Sequence, residues 1–376
     1  MRIGIDIRSL QNDSRLRGIG TYTRELITAL VAAAPEDEFV FFAYGNRPLP
    51  AVPARGRVRR VTSLRKRFVW LSGQLLFPAA ARREALDIFY SPEYIVPVWC
   101  RCPKVITVHD FINREYPVYR RRSGILRRAY FYLKDRTLES ADGIIAVSRY
   151  TQAKIGEFAR VDPGKVRVIY EAAGREFVPR DDPERARVLR EKYALEGEYL
   201  LYVGAVDYHK NIDGLIAAFA AARRCRALLV LAGVQHDPAY FRRVTALAEK
   251  AGVSSRVRFL GYVPQEDLAA LYNAAMAFIS LSVYEGFGLP CLEAMSCGVP
   301  VICAGNTSMA EIVAEAGVLV DPLDRDAIAA AIERICADTE WRVGLGAAAL
   351  DRSRRFTWEK TAAKTLGFFK ELRDGR

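Results

Sequence analysis

The residues best suited to chemistry lie in one run of the second half of the chain, from Ser282 to Pro300. The run follows an apolar segment typical of a strand, passes through a glycine-rich turn and enters a helical segment. Such a turn offers backbone N–H groups and the positive end of a helix dipole, which suits phosphate. Glu285 stands before the turn and Glu293 about two helical turns later. They differ by about 80° of rotation after two full turns, which predicts two hydroxyl acceptors on one elongated ligand, not a hydrolytic pair.

This run is similar to the Glu-x7-Glu signature of glycosyltransferase family 4, whose members are retaining enzymes with the GT-B fold of two facing Rossmann-like domains. The resemblance implies that Glu285 contacts the donor sugar and that Glu293 holds the nucleotide ribose. It also implies that the turn contacts the sugar or the diphosphate. The residues of the turn are Gly286, Phe287, Gly288 and Leu289. Taken alone, the two glutamates would equally fit charged residues at a strand–helix corner.

A second segment, 202–211, resembles the first strand of the family's second domain and the basic loop after it. There a Lys before an Asn grips the donor diphosphate, so the resemblance assigns this role to Lys210 and includes Gly204 in the donor site. An ammonium at the carboxyl end of a strand can neutralise a pyrophosphate leaving group. Many relatives have Arg where this chain has Ala205 and His209. We therefore expect Lys210 and backbone amides to carry more of the diphosphate's charge.

Three further donor contacts are implied by the resemblance. Gly18 and Gly20 follow the first strand and open a helix. By itself a Gly-x-Gly is typical of a flexible turn, and a nicotinamide fingerprint would need a third glycine at position 23, which is Thr. In the family these glycines lie against the donor phosphates across the cleft between the domains. Tyr262 matches the loop that meets the nucleotide base, although it would also fit an ordinary aromatic residue at a strand end.

His109 follows an apolar strand, at the end where open α/β sheets place their ligands. The family has a His near the transferred sugar at this position, which implies that His109 orients the sugar through a hydrogen bond. Asp110 would then fix the tautomer of His109 or touch the acceptor. Ser148 and Glu171 end two further strands and match polar residues on the acceptor side of the family's cleft.

No metal or other cofactor is expected, since the nucleotide sugar is a substrate. Asp324-Arg-Asp326 has the Asp-x-Asp pattern that many sugar transferases use for a metal, but it directly precedes a helical segment. The pattern therefore predicts a helix cap with an acidic first turn. Cys100 and Cys102 are too close in the sequence for the usual zinc knuckle. Because the chain has only three histidines, no Cys/His metal site is expected. Seven scattered cysteines fit a reducing cytosol better than a disulfide framework.

Short apolar runs rich in β-branched residues alternate with helical segments along the chain, and continuous apolar runs indicate strands covered on both faces. This predicts the α/β class, with two doubly wound, Rossmann-like domains. The predicted strands are 3–7, 39–44, 58–62, 87–90, 105–108, 143–147, 166–170, 199–203, 227–231, 257–260, 277–281, 299–303 and 318–320. The predicted helices are 19–34, 66–86, 121–141, 149–160, 211–225, 239–251, 265–274, 288–297, 309–316 and 325–337.

The composition predicts two globular domains, since 51% of the 376 residues are hydrophobic and 27% are charged. The acceptor-side domain is expected over 1–175 and the nucleotide-sugar domain over 176–356, with the connection near 173–185. Residues 357–376 are expected to form a helix that either caps the second domain or crosses back to the first.

The net charge of +12 lies entirely in the first half. Residues 1–175 hold 31 Lys and Arg against 17 Asp and Glu, a balance of +14, which leaves −2 for the rest. Much of this charge is concentrated in 55–77 and 120–136. Solvated helix faces, a surface that lies on anionic lipid and a nucleic-acid site would all fit this charge. The sequence has no compact nucleic-acid recognition motif, so no nucleic-acid partner is expected.

These features predict a retaining, metal-independent hexosyltransferase that acts on a glycan or lipid-linked saccharide. The segments Gly-Ile-Gly-Thr-Tyr and Val-His-Asp-Phe resemble bacterial mannosyltransferases of surface-polysaccharide assembly, which implies GDP-mannose as the donor. The alternatives are a sugar-nucleotide 2-epimerase or phosphorylase of the same fold, and a non-catalytic membrane- or nucleic-acid-binding module. No uncharged stretch reaches 18 residues, and the first apolar run contains Asp6 and Arg8. We therefore expect no spanning helix or signal peptide, and a cytoplasmic protein that is peripheral on the inner face of the plasma membrane.

Overall fold

The computed structural model describes residues 1–12, 18–61, 69–116 and 125–375, with side chains described in all of these except 69–73 and 125–130. The chain forms two compact units. The first comprises Met1–Ala172 and Thr357–Arg376, and the second comprises Ala173–Phe356. The division lies three residues before the boundary expected from the sequence.

The first unit is built on a parallel sheet of seven strands in the order β3-β2-β1-β4-β5-β6-β7. The strands are β1 (Arg2–Asp6), β2 (Glu38–Tyr44), β3 (Arg57–Val61), β4 (Ile88–Ser91), β5 (Lys104–Val108), β6 (Gly143–Ala146) and β7 (Val166–Val168). The chain leaves β1 towards one edge of the sheet and then returns to build the other edge from β4. Open α/β sheets bind ligands beyond the carboxyl ends of their strands at such a reversal.

Helices cover both faces of this sheet. They are α1 (Gly18–Ala33), α2 (Val69–Arg83), α3 (Ile112–Glu115), α4 (Ile125–Ser140), α5 (Arg149–Phe158) and a C-terminal helix (Trp358–Asp374). The C-terminal helix packs against α1, with Trp358 and Phe369 buried in the core of the first unit. The Thr361 hydroxyl also donates to the Tyr170 carbonyl at 2.8 Å. Of the two expected positions for this helix, the structure therefore has the one in the first unit.

The second unit repeats the plan with six parallel strands in the order β10-β9-β8-β11-β12-β13. The strands are β8 (Tyr199–Val203), β9 (Leu228–Ala232), β10 (Val257–Gly261), β11 (Ala277–Ser280), β12 (Val301–Ala304) and β13 (Val318–Val320). Here the reversal falls between β8 and β11. All residues of β9, β11 and β12 are buried, which explains why the apolar runs in the sequence are continuous.

Eight helices lie in the described part of the second unit, and the sequence analysis missed two of them. They are α6 (Pro183–Tyr193), α7 (Ile212–Ala221), α8 (Pro238–Lys250), α9 (Gln265–Asn273), α10 (Leu289–Ser296), α11 (Ser308–Val313), α12 (Arg325–Ala337) and α13 (Thr339–Ser353). The missed helices are α6 and α13. Asp324 caps α12 by accepting from the N–H groups of Asp326 and Ala327, which confirms the predicted cap.

The helix α6 begins at Pro183, within the segment 173–185 that was predicted as the connection between the domains. Asp182 caps this helix and Pro183 is its first residue, which together are a typical helix start. The sequence analysis missed the helix because its residues are mostly polar. Arg185 and Lys192 both pair with the buried carboxylate of Asp267 in α9, and Leu189 is the one buried residue of the helix. No helix in the described residues combines the length and apolarity needed to cross a bilayer.

Candidate active site

The glycine-rich turn of the second unit joins β11 to α10, as its sequence predicts. Gly288 caps the helix with a φ of +99°, and a Cβ there would lie 2.8 Å from Cγ of Met309. Both the backbone angle and the lack of space therefore require glycine. The Ser308 hydroxyl donates to the Glu285 carbonyl at 2.8 Å and anchors the start of the turn. At the start of α10 the Leu289 N–H can bind an anion, because Pro290 has no N–H and that of Cys291 donates to the Gly288 carbonyl at 3.0 Å.

Lys210 and Glu285 form an ion pair at the reversal of strand order in this unit. Lys210 lies in a short 3₁₀ turn after β8, and Glu285 follows β11, the neighbouring strand. Lys210 Nζ lies 2.5 Å from Glu285 Oε2, and the two side chains are 17% and 21% exposed. The Val283 N–H donates to the His209 carbonyl at 2.9 Å and ties the two loops together. Two residues that the sequence assigned to the diphosphate and the sugar therefore meet in the structure.

His209 stands beside Lys210 but contributes no positive charge. Burial, together with the smaller effect of the Lys210 ammonium, lowers the pKa of the His209 imidazole to about 2. A neutral imidazole replaces the Arg that many relatives carry there. Lys210 is therefore the charged group that this short turn offers to a diphosphate.

Glu293 lies inside α10 and has a partner of its own. The Tyr272 hydroxyl donates to Glu293 Oε2 at 2.9 Å. Burial raises the pKa of Glu293 to about 7, with the negative charge of Glu176 acting in the same direction and the Tyr272 hydrogen bond opposing it. Glu285 and Glu293 thus have separate partners in separate environments, in keeping with two hydroxyl-binding positions.

Glycines bring the ends of β8, β9 and β10 close together. The Gly204 N–H donates to the Ala232 carbonyl at 2.9 Å, and the Gly233 N–H donates to the Gly261 carbonyl at 2.7 Å. A Cβ at Gly233 would lie 1.8 Å from the Gly204 oxygen. Tyr262, directly after β10, has a side chain that is 55% exposed. The carboxyl edge from β10 to β11 spans three strand spacings, about 14 Å, and carries Tyr262, Gly204, Lys210 and Glu285 in spatial order.

In the first unit, both ring nitrogens of His109 face acceptors. Nδ1 lies 2.9 Å from Glu171 Oε1, and Nε2 lies 2.8 Å from the Pro92 carbonyl. Two acceptors require two N–H donors, which is the imidazolium form. Burial lowers the pKa of His109, but the hydrogen bond and charge of Glu171 outweigh it and raise the pKa above its ordinary value. A hydrogen bond from His109 to a sugar therefore requires one of these acceptors to be exchanged.

Three predicted acceptor-side residues have different contacts from those expected. Glu171, expected to line the cleft, is buried and holds His109. It takes the orienting role suggested for Asp110, whose carboxylate instead accepts from the Ile112 N–H at 3.1 Å at the start of α3. Ser148 is fully buried and caps α5, since its Oγ accepts from the Thr151 N–H at 2.9 Å. Asp110 and Ser148 therefore have local structural roles in addition to any contact with a ligand.

Gly18 and Gly20 form the first turn of α1, directly after residues 13–17, which lie outside the description. Gly18 is exposed and Gly20 is buried. They open a helix that follows β1, the strand at the reversal of order in this sheet, so their position suits an anion. Their predicted contact with the donor phosphates stays a prediction.

Comparisons with known proteins decide the family. A family model described as Glycosyltransferase Family 4 matches residues 16–173, and one described as Glycosyl transferases group 1 matches residues 187–352. O-antigen chain mannosyltransferase B of Escherichia coli is 33% identical over 378 residues, which cover 95% of this chain and 97% of that protein. The chain belongs to glycosyltransferase family 4. It is an enzyme that transfers a sugar.

Solved structures agree on the fold of this glycosyltransferase. Sucrose-phosphate synthase of Thermosynechococcus elongatus superposes with a TM-score of 0.78, covering 100% of both chains at 24% identity. Anabaena HepE in complex with UDP-glucose superposes with a TM-score of 0.71, covering 98% of this chain and 99% of that chain at 22% identity. The predicted GT-B fold with two Rossmann-like parallel sheets is confirmed.

The sequence analysis of the glycosyltransferase missed residues that hold its site together. The Tyr272 hydroxyl donates to the Glu293 carboxylate, and the Ser308 hydroxyl donates to the Glu285 carbonyl. Gly233 packs closely against Gly204. Gly233 left a sequence signal, since it lies two residues after the end of a predicted strand, 227–231. Tyr272 and Ser308 left none, because their partners lie 21 and 23 residues away along the chain.

Proposed function

We propose that this glycosyltransferase moves mannose from GDP-mannose to a saccharide or lipid-linked saccharide acceptor, with retention of the anomeric configuration and without a metal. The Lys210–Glu285 pair carries the proposal, because it joins a diphosphate-binding cation to a sugar-binding carboxylate at one strand-end site. The choice of mannose is supported by the name of the Escherichia coli relative, a mannosyltransferase of similar length. A nucleotide-sugar donor is supported by the UDP-glucose bound to Anabaena HepE.

The donor would lie along the carboxyl edge of the second sheet. Tyr262 would flank the base, and the Glu293 carboxylate would accept from the ribose hydroxyls. Lys210 and the Leu289 N–H at the start of α10 would bind the diphosphate, and Glu285 would accept from hydroxyls of the sugar. Lys210 neutralises charge that grows on the diphosphate as it leaves, a contribution larger in the transition state than in the ground state.

Retention follows if the acceptor attacks the face from which the diphosphate departs. The bond between the anomeric carbon and the phosphate oxygen breaks, and its electron pair stays on the diphosphate. The acceptor hydroxyl oxygen then bonds to the anomeric carbon, and its proton passes to a diphosphate oxygen. Lys210 and the helix terminus stabilise the departing anion in place of a metal. Among the described residues no three Asp, Glu, His or Cys side chains converge on a metal-sized space.

The acceptor would bind the first unit, which we propose also contacts anionic membrane. Three apolar side chains stand out from neighbouring elements of this unit: Leu75 in α2 is 53% exposed, Trp99 66% and Tyr132 in α4 68%. Gln74 links α2 to the segment before β5 by hydrogen bonds with the Val96 carbonyl and the Val98 N–H. Leu75 and Tyr132 belong to the basic segments 55–77 and 120–136, of which 62–68 and 120–124 lie outside the described residues. Each Lys or Arg near such a membrane contributes about 1 kcal/mol.

Donor binding is tested first, by thermal shift with GDP, UDP, ADP and their sugars. GDP and GDP-mannose should raise the melting temperature most, and transfer from GDP-mannose should yield an α-linked mannoside from the α-linked donor, as read by NMR of the new anomeric centre. A β-linked product would refute retention, and stabilisation by UDP alone would refute the guanosine donor. Full activity after exhaustive treatment with a chelator is expected, and loss of activity would refute metal independence.

A further inference from the structure

We infer that Glu93 forms a hydroxyl-binding subsite beside His109 in the first unit, an inference that rests on the proposed sugar transfer. Three adjacent strands, β1, β4 and β5, end at this place. Asp6 is the last residue of β1, Glu93 follows β4 by two residues, and His109 directly follows β5. The site lies at the reversal of strand order, where the fold offers its ligand position. Sequence analysis had not singled out Glu93.

The surrounding charged groups already have partners. Asp6 accepts from Nε of Arg8 at 2.8 and 2.9 Å, and Glu171 accepts from His109. The Lys134 ammonium lies 3.7 Å from the centroid of the Tyr94 ring. The His109 bond to the Pro92 carbonyl fixes the backbone next to Glu93. Glu93 therefore belongs to a cluster of interacting charged groups, with Asp6, Arg8, His109 and Lys134, whose other members are satisfied.

Glu93 is the exception in this cluster. Its Oε1 is shielded from solvent and has no hydrogen-bond partner among the residues that the structure describes. Burial raises the pKa of Glu93, with the charge of Asp6 acting in the same direction and those of Arg8, His109 and Lys134 opposing it. A buried polar atom without a partner is destabilising and calls for an explanation, of which a ligand group is one. The residue itself keeps some exposure, so rotation of the carboxyl group can present this oxygen to a ligand.

The chemistry of the cluster selects the ligand group. A cationic group is disfavoured by Arg8, Lys134 and the His109 imidazolium, and a phosphate is disfavoured by Asp6, Glu171 and Glu93 itself. A neutral hydrogen-bond donor is compatible with both the positive and the negative groups, and in a saccharide such a group is a hydroxyl. The hydroxyl can belong to the transferred sugar or to the acceptor, and the two sources differ in the Michaelis constant that a Glu93 variant changes.

The test compares Glu93→Gln and Glu93→Leu with the wild type, with Glu84→Gln as the matched control. Glu84 is also a buried glutamate of the first unit, but it pairs with Arg57 and Arg59, and its carbonyl binds Arg2 at the start of β1. Both Glu93 variants should lower kcat/KM at least tenfold while the melting temperature stays level or rises. Glu84→Gln should lower the melting temperature and leave kcat/KM within twofold of the wild type.

Deoxygenated substrates separate the two sources. If Glu93 binds an acceptor hydroxyl, Glu93→Gln raises the acceptor KM, and removing that hydroxyl harms the wild type but causes no further loss in the variant. If it binds the transferred sugar, the same pattern appears with deoxy donors. Wild-type kinetics in Glu93→Gln, or a lowered melting temperature like that of Glu84→Gln, would overturn the inference. Absence of transfer by the wild type would instead refute the proposed function.

Discussion

Lys210 Nζ contacts Glu285 Oε2 at 2.5 Å across 75 residues of chain. The two residues follow adjacent parallel strands, and both side chains are mostly shielded from water, so their attraction is screened less than that of a surface pair. In the absence of a nucleotide sugar, each of these side chains holds the other in place. A bound donor would give Lys210 a diphosphate and Glu285 a hydroxyl, so the pair is already positioned for two ligand groups.

Replacing Lys210 should therefore damage catalysis more than stability. Lys210→Met is expected to lower kcat/KM with the nucleotide sugar by about 10²–10³-fold, roughly 2.7–4 kcal/mol, because the leaving diphosphate loses its cation. Lys192→Met is the control, since Lys192 also pairs with a carboxylate at 2.5 Å but is 51% exposed and lies on α6. Steady-state kinetics of the purified variants decides the matter, and equal losses in both would contradict the role of Lys210.

Nucleotide binding should weaken as the pH falls through 7. The Glu293 carboxylate, with a pKa raised to about 7, must be ionised to accept from two ribose hydroxyls. Between pH 8 and pH 6 its ionised fraction falls about tenfold, so the Kd for the nucleotide should rise about tenfold from this group alone. Titration calorimetry at both pH values measures the change. Glu293→Gln retains the titration of the diphosphate but should lose this component, and an unchanged pH dependence in the variant would contradict the assignment.

The pKa values of His109 and His209 should be shifted in opposite directions from that of a free histidine. His109 is expected to hold its proton above pH 6.5 because of Glu171, and His209 to stay neutral down to about pH 2. With three histidines in the chain, NMR of the imidazole groups can follow each of them. Glu171→Gln should return the pKa of His109 towards or below 6.5 and leave that of His209 unchanged. A His109 that titrates identically in both proteins would contradict the pairing.

The same pair makes a signed prediction for stability. A raised histidine pKa in the folded state adds stability that is complete below about pH 6.5 and is lost as the pH rises through the folded pKa. Glu171→Gln should therefore cost more free energy of unfolding at pH 6 than at pH 9. Denaturant titrations at the two pH values measure the difference, and a constant or growing cost towards pH 9 would refute it.

Gly233 should not tolerate a side chain. It has a φ of +155°, and a Cβ would meet the Gly204 oxygen at 1.8 Å. Gly233→Ala should cost about 2–4 kcal/mol of stability and weaken nucleotide binding by displacing the loop that follows β8. Gly252→Ala is the control, because its φ is +71° but nothing lies within 4 Å of the added atom. It should cost about 1 kcal/mol, and similar unfolding curves for both variants would contradict the packing argument.

Membrane contact should depend on exposed aromatic residues of the first unit. The double variant Trp99→Ser/Tyr132→Ser is expected to bind anionic liposomes at least tenfold more weakly, since each inserted aromatic side chain contributes about 1.5–3 kcal/mol. Val343→Ser is the control, because Val343 is as exposed as Trp99 but lies in the second unit. Sedimentation at low salt measures binding. Equal sedimentation with neutral and anionic liposomes would show that the basic residues form an ordinary solvated surface.

Much of the fold could be predicted from the sequence, because a buried parallel strand is a continuous apolar run that can be recognised without knowing its neighbours in the sheet. β8 and β13 were predicted residue for residue, and most other strands to within one or two residues. The helices α6 and α13 could not be found this way. Only one residue of α6, Leu189, is buried, and the charged partner that stabilises the helix, Asp267, lies more than 70 residues along the chain.

By itself the sequence determined which residue types stand at the strand ends, since that depends on local patterning and on a motif within one strand–turn–helix segment. The tertiary structure decided which of them are partners. It joined Lys210 to Glu285, His109 to Glu171 and Tyr272 to Glu293. It also left one oxygen of Glu93 without a hydrogen-bond partner in the described part of the chain. These outcomes depend on which strands become neighbours in the sheet and on how deeply each strand end is buried. Both are long-range properties, and no local pattern encodes the resulting partners or the protonation of His109 and Glu293.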